Sequence, residues 1–447
     1  MSARAPHSLV RFVARLFGAE MDESPAVAAG LLLFFLVFTG YFMLRPVRET
    51  MGVAGGIDNL QWLFTGTFVA TLAALPLFGW LASKVARRRI VAWTYGFFTT
   101  NLLAFAVCLA VMPDDLAVAR TFYIWLSVFN MLTISLAWST LADVFASGQA
   151  RRLFALMAGG ASLGGLVGPV LGTVLVAPLG HSGLVVLSAA MLVGAIGAAA
   201  YMHRWRDRQD VGDAPESTII GDRARPLGGN PFAGATAVFR SPYLLGIALF
   251  VLLLATATTF LYFEQARLVA ENFPDRTRQT QVFGLIDTIV QTLAILTQLF
   301  LTGRIAQRLG VGVLLVGVPL VVAGGFLWLA LAPVFAVFVV VMIVRRAGEY
   351  AFVRPGREML YTVVSPEQKY KAKNFIDTVV YRGGDAISGW AKRGLDLIGE
   401  QPALAMVIGA VLAVVWALTG GWLGRRHRHQ EAALPMEPTA RSAAQRA

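Results

Sequence analysis

An all-α polytopic membrane protein, about twelve helices in two six-helix halves, is the fold class that three observations predict. They are a very high apolar content, a series of runs wide enough to cross a bilayer, and blocks of sequence that recur at one offset. Of 447 residues, 57% are hydrophobic and only 14% are charged, a balance found in membrane proteins rather than in soluble enzymes of this length. The net charge is +12 and the pI about 10.2. In a soluble chain that would suggest nucleic acid. Here Lys and Arg collect in short connections between apolar runs, so the basic balance reflects topology and no nucleic-acid partner is expected. The single cysteine, Cys108, excludes a disulfide within the chain and any Cys metal cluster. The first segment is amphipathic and basic (Arg4, Arg11, Arg15) and the apolar run after it is long enough to span. No cleavable signal peptide is therefore expected.

A spanning helix needs about 20 apolar residues. At that width the runs fall near 27–48, 60–82, 90–112, 120–145, 153–178, 183–203, 242–264, 281–303, 311–331, 334–358, 372–396 and 403–424. With the N-terminus inside, one side receives Lys84, Arg87, Arg88, Arg89, Arg151, Arg152, Arg204, Arg206, Arg208, Arg304, Arg308, Lys369, Lys371, Arg425, Arg426 and Arg428. The other receives Asp58, Asp114, Asp115 and a mixed loop of Glu271, Asp275, Arg276 and Arg278. The positive-inside rule then makes both termini cytoplasmic, in a bacterial inner membrane.

The longest connection, 204–240, is rich in Arg, Asp, Pro and Gly and divides the chain into an N-terminal half (1–203), a cytoplasmic linker, a C-terminal half (241–424) and a basic cytoplasmic tail (425–447). Two blocks support that division. Gly79-Trp80-Leu81-Ala82-Ser83-Lys84 recurs as Gly303-Arg304-Ile305-Ala306-Gln307-Arg308, and Gly159-Gly160-Ala161-Ser162-Leu163-Gly164-Gly165 as Gly383-Gly384-Asp385-Ala386-Ile387-Ser388-Gly389. Parallel halves of six spans, each built from inverted triplets, form the architecture of major facilitator transporters. The basic loop from Gly79 to Arg89 also resembles that superfamily's loop signature, with Ser83 where an aspartate is usual.

Ionisable groups within a bilayer cost about 2.5 kcal/mol or more each, so they face a bundle interior or a watery path. Two clusters stand out. Arg45-Pro46-Val47-Arg48-Glu49 closes the first run, and Arg345 to Glu358 occupies the tenth. The first helix of each triplet lines the cavity in this architecture, and both clusters fall on such helices. Arg45, Arg48, Arg345, Arg346 and Glu349 are therefore candidate substrate ligands. Pairs at i,i+3, Arg45 with Arg48 and Arg354 with Arg357, can converge on one anion. The i,i+4 pairs Arg45/Glu49 and Arg354/Glu358 can instead neutralise each other; the competing reading is a buried structural ion network for Arg345, Arg346 and Glu349, and a solvated or gate-forming salt bridge for Arg354, Arg357 and Glu358. Pro46 and Pro355 are expected to break their helices and free backbone groups for a solute. Glu49, Glu264, Arg267, Asp287, Arg354, Arg357, Glu358, Asp377, Arg382 and Asp385 are candidates for coupling or gating. The glycine-rich block 159–168 reads as a close helix contact rather than a phosphate cradle. Asp143 reads as structural.

No Gly-x-x-x-x-Gly-Lys-Ser/Thr or His-Glu-x-x-His stretch occurs, and the one Gly-x-Ser-x-Gly match, Gly160-Ala161-Ser162-Leu163-Gly164, lies inside the glycine-rich block read as a helix contact, so no built-in nucleotide motor, enzymatic activity or cofactor is expected. Glu349-Tyr350-Ala351-Phe352-Val353-Arg354-Pro355-Gly356-Arg357-Glu358-Met359, followed by Lys369-Tyr370-Lys371-Ala372-Lys373-Asn374-Phe375-Ile376-Asp377, resembles the ATP/ADP translocase family. That family carries Lys-Tyr-x-x-x-Asp-Pro-x-Lys-Glu-Met and then Lys-x-Lys-x-Lys-x-x-Ile-Asp at similar spacing. Arg45-Pro46-Val47-Arg48-Glu49-Thr50, Ser241-Pro242-Tyr243 and Glu264 extend the resemblance. It implies nucleotide exchange, with Arg48, Glu264, Lys371 and Lys373 at positions whose charges matter there. Glu349 and Arg354 stand where the family has lysine and aspartate, and Asn130 is the nearest polar group to an expected fourth-span glutamate. A kept scaffold with changed cavity charges points to a solute other than ATP, and an anionic solute is the broader expectation. The first reading is a monomeric, secondary-active carrier of such a solute, nucleotide-like or phosphorylated. A proton-coupled exporter or lipid flippase, using Glu264, Asp287 or Glu349, is the alternative within transport. A non-transporting scaffold or sensor is the alternative outside it. Membrane lipid is the other expected partner.

Overall fold

The structure is a computed structural model that describes residues 23–85, 87–145, 147–209, 234–398 and 402–432. The basic N-terminal segment, most of the linker and the end of the tail lie outside the described residues. Among those described, every regular element is helical and no strand occurs.

Among the described residues nine helices are long and apolar enough to cross a membrane. One of these, Leu153–Arg208, contains two spans. They meet at Gly180, whose φ of 67° and ψ of 179° no helix accommodates and few residues but glycine adopt. The tenth and eleventh spans, 335–360 and 366–398, are absent from that apolar set because every stretch of spanning length in them holds more charged residues than a lipid-facing helix carries. Their helices form nevertheless, and the described residues make twelve spans.

The helices pack into two units, Met1–Asn230 with Ala266–Thr292, and Pro231–Gln265 with Leu293–Ala447. The first unit takes in, besides the first six spans, the end of the seventh and the start of the eighth. Its main contact joins the first span, Ser24–Ala54, to the helix Ser147–Gln209 that carries the fifth and sixth. A methyl group added at Gly160, Gly164, Gly168 or Gly172 would lie 2.3, 2.6, 2.8 or 2.8 Å from the carbonyl oxygens of Leu31, Phe35, Thr39 and Met43 respectively. Glycine every four residues lets the two backbones touch, the close contact expected for this block. Behind it Phe34, Phe98, Phe122 and Phe129 are fully buried or nearly so.

In the second unit the ninth span, Val311–Leu331, lies along the twelfth, Pro402–Ala432. Gly424 meets Gly312, and Gly409 receives the Phe326 ring. Three π-helical turns interrupt spans of this unit, at Gln298–Thr302, Glu349–Val353 and Ile376–Val380. Such turns concentrate at functional sites.

Candidate functional site

The tenth span begins at Phe335, and Glu349 lies fourteen residues on, about 21 Å at 1.5 Å per residue. Its carboxylate is buried and holds two guanidinium groups, one on each oxygen. Arg345 Nη1 donates to Oε2 at 3.0 Å, and Arg354 Nη2 and Nε donate to Oε1 at 3.2 and 3.3 Å. Arg345 is as buried as Glu349 and also donates to Thr258 Oγ1 of the seventh span at 3.0 Å. Arg354 is different, with 53% of its side chain exposed and its guanidinium 4.3 Å from the Tyr350 ring centre. Arg346, the next residue, is buried too.

This arrangement replaces the expected Arg354/Glu358 pair. Between Glu349 and Arg354 the helix makes a π turn, Glu349–Val353, which brings residues five apart rather than four onto one face. Glu358 instead accepts from Lys373. Arg357 pairs with Asp377, which lies in the third π turn, at 3.2 Å. Arg354 and Arg357 thus each hold a carboxylate of their own.

The helix-breaking role expected of the prolines is also corrected. The first span runs unbroken through Pro46. At Pro355 the missing N–H, together with the change of register at the π turn before it, leaves two carbonyls of the preceding turn without their helical donors, yet both are taken up by the eighth span. Gln298 Nε2 donates to Tyr350 O at 2.9 Å and Thr302 Oγ1 to Ala351 O at 2.8 Å. Side chains of one π turn therefore saturate the other, and these backbone oxygens are not left to a solute. Gln298 and Thr302 carried no signal in the sequence, since an amide and a hydroxyl in an apolar run do not show what they will cap.

Elsewhere in this unit Asp385 is buried, with Arg382 at 3.5 Å and Thr259 Oγ1 at 3.4 Å. Lys392, buried, bonds Asp396. Glu264 is buried at 3% exposure on the seventh span, whereas Lys371 is exposed.

In the first unit Arg48 Nη1 donates to Glu49 Oε1 at 2.9 Å, its Nε to Tyr123 O at 3.3 Å, and its guanidinium lies 3.8 Å from the Tyr123 ring centre. Arg45 turns to Asp287, buried on the eighth span, with 3.7 Å between Nε and Oδ2. That is an ion pair beyond hydrogen-bonding distance. Arg267 pairs with exposed Glu271 at 2.8 Å. Nearby, Thr280 Oγ1 lies 2.7 Å from Thr50 Oγ1 and 2.9 Å from His181 Nε2, and Arg276 reaches Asp114 at 3.2 Å. His181 sits in the connection between the fifth and sixth spans. Burial first, then the positive charge of Arg276, lowers its pKa below the ordinary imidazole value. The backbone carbonyl of Asp143 accepts from Arg206. Among the described residues no group of acids, histidines or cysteine has the arrangement of a metal site.

Each unit thus presents an arginine laid on a tyrosine ring and tethered to a glutamate, Arg48 on Tyr123 with Glu49 and Arg354 on Tyr350 with Glu349. Twelve spanning helices carrying such charges in their interiors define a polytopic membrane transporter. The chain belongs to the Major Facilitator Superfamily, whose family model matches residues 30–270. Solved structures agree in fold. A bacterial homolog of the human lysosomal transporter Spinster, inward-facing and unoccupied, is 14% identical, with a TM-score of 0.59 over 92% of this chain and 98% of that one. The nucleoside transporter NupG is 16% identical, with a TM-score of 0.62 over 89% and 98%. A bacterial homologue of the iron transporter ferroportin, inward-facing, is 16% identical, with a TM-score of 0.59 over 89% and 98%. No curated protein matches the sequence.

Proposed function

We propose that the chain is a secondary-active carrier of an anionic organic solute, a nucleotide or another phosphorylated metabolite, working as a monomer by alternating access. The observation that carries this reading is the division of Glu349 between a buried arginine and a half-exposed one. An entering phosphate or carboxylate can take over Arg354, for which Glu349 now stands in, while Arg345 keeps the carboxylate neutralised inside. A group exchanged between an internal carboxylate and a solute anion binds without leaving a buried charge bare in either state, which would otherwise cost several kcal/mol. The Tyr350 ring under Arg354 adds a flat apolar surface suited to a planar ring on the solute. The resemblance of 349–377 to the ATP/ADP translocase family points the same way, to nucleotide exchange. The reversed signs at Glu349 and Arg354 favour a different member of the same chemical class. The basic connections favour cytoplasmic termini in a bacterial inner membrane.

Proton coupling is the second reading, favoured by Asp287, a carboxylate buried within the eighth span beside Arg45. Glu349 is the poorer proton carrier, because two guanidinium groups hold its charge.

A thermal-shift screen of the purified protein tests the substrate class. A ligand of the folded state at one hundred times its Kd stabilises by about 2.7 kcal/mol. Nucleotides or sugar phosphates are expected to raise the melting temperature, and nucleosides and neutral sugars to leave it unmoved. A flat response to every anion would count against the reading.

A further inference from the structure

We propose a binding site for one anionic phospholipid on the flank of the second unit, with an acyl chain in a pocket between the eighth, ninth and tenth spans and the headgroup at Arg304 and Arg308. The pocket has a volume of 420 Å³, within the range of about 300–1,000 Å³ typical of small-molecule sites. Of its lining side chains only Thr297 and Arg345 are polar, and the others are aliphatic except Phe352. Its rim includes Leu293, Val313, Val321 and Val344, all exposed and all within spanning helices. The rim continues into exposed Leu320, Leu327 and Trp328 of the ninth span. Apolar surface on a spanning helix meets hydrocarbon, so the occupant at this mouth is a lipid chain. Gly317 keeps the pocket open: a Cβ there would meet nothing within 4 Å.

The headgroup assignment rests on charge. Ile305 lines one end of the pocket, and Arg304 and Arg308, both exposed, flank it on the same short helix Gly303–Leu309. Residues 305 and 308 share a face, as do 304 and 308. Gly310 turns the chain at once into the ninth span, so Val313 returns to the same end. Two guanidinium groups beside the mouth of an apolar slot suit a phosphodiester, and basic pockets between spans hold such headgroups. The slot also touches Ala347, Gly348 and Phe352, the residues around the turn that sets Glu349 against Arg354.

The full-length protein is purified, exchanged into detergent with equal dioleoyl phosphatidylglycerol and dioleoyl phosphatidylcholine, and its retained lipids measured by native mass spectrometry. The wild type is expected to keep one phosphatidylglycerol at least fivefold over phosphatidylcholine. The Arg304→Gln, Arg308→Gln double variant is expected to lose that preference, and Gly317→Trp to lower retention of both lipids about tenfold. Phosphatidylglycerol bearing a mid-chain diazirine should label peptides covering 313–322 and 344–352 in the wild type, which keeps the test independent of how Gly317→Trp folds. Equal retention of the two lipids by the wild type would overturn the headgroup site. Photolabel confined to other faces, or unchanged by a folded Gly317→Trp variant, would overturn the pocket. Solute flux enters neither readout, so this site and the proposed transport stand or fall separately.

Discussion

Glu349 serves two arginines with unequal consequences. Arg345 is wholly buried with it, so Glu349→Gln leaves a guanidinium in the span without its counter-charge. The expected loss is about 3–5 kcal/mol of stability, read as a fall in the melting temperature that added phosphate partly restores. Arg354 is half exposed, and Arg354→Gln should cost no more than about 1 kcal/mol while abolishing the anion's thermal shift. The Arg345–Glu349 half of this arrangement was legible in the sequence, because four-residue spacing on a helix places side chains together. The Arg354 half was not. Its partner lies five residues back, and only the π turn makes five the right number. Arg45 was equally opaque, since Asp287 comes from a helix more than two hundred residues away.

At the scale of elements, two π turns brace each other. Gln298 and Thr302 give hydrogen bonds to the two oxygens that the π turn and Pro355 together leave without helical donors. Thr302→Val should destabilise by about 1 kcal/mol, Thr302→Ser should be close to neutral, and thermal denaturation distinguishes them. The glycine ladder of the fifth span makes a harsher prediction. Gly164→Val drives a side chain into the Phe35 carbonyl and the Phe38 Cβ, and should leave no monodisperse protein on size exclusion, whereas Gly197→Ala, with open space around it, should behave as wild type. The ladder could be read in advance from its spacing, and so could ten of the spans from their hydropathy. The tenth and eleventh were harder, because charges that would forbid a lipid-facing helix are allowed in one whose charges find partners inside. The cue for their π turns, beyond one proline, is a tertiary contact that no local pattern encodes.

At the scale of the molecule, one hairpin departs from the order of the chain. Residues 266–292 pack with the first unit, through Thr280 against Thr50 and His181, Arg276 against Asp114, and Asp287 against Arg45. His181 is held neutral there. With its pKa lowered in the fold, the unfolded chain takes up the proton first, so this stability is whole above about pH 6.5 and is lost as the pH falls through the unfolded and then the folded pKa. Melting temperature should therefore decline below about pH 6.5 more steeply in the wild type than in His181→Gln. The repeat and the basic connections made the superfamily legible, but the solute was not, because it depends on which charges remain available once the internal pairs have formed. Flux in proteoliposomes tests the central claim most directly. Vesicles loaded with a nucleotide or sugar phosphate that raised the melting temperature should take up labelled anion from outside, and the Arg354→Ala variant should fall to the rate of empty vesicles while remaining folded. Equal flux through wild type and Arg354→Ala, or none through the wild type for any anion with or without a pH gradient, would contradict it.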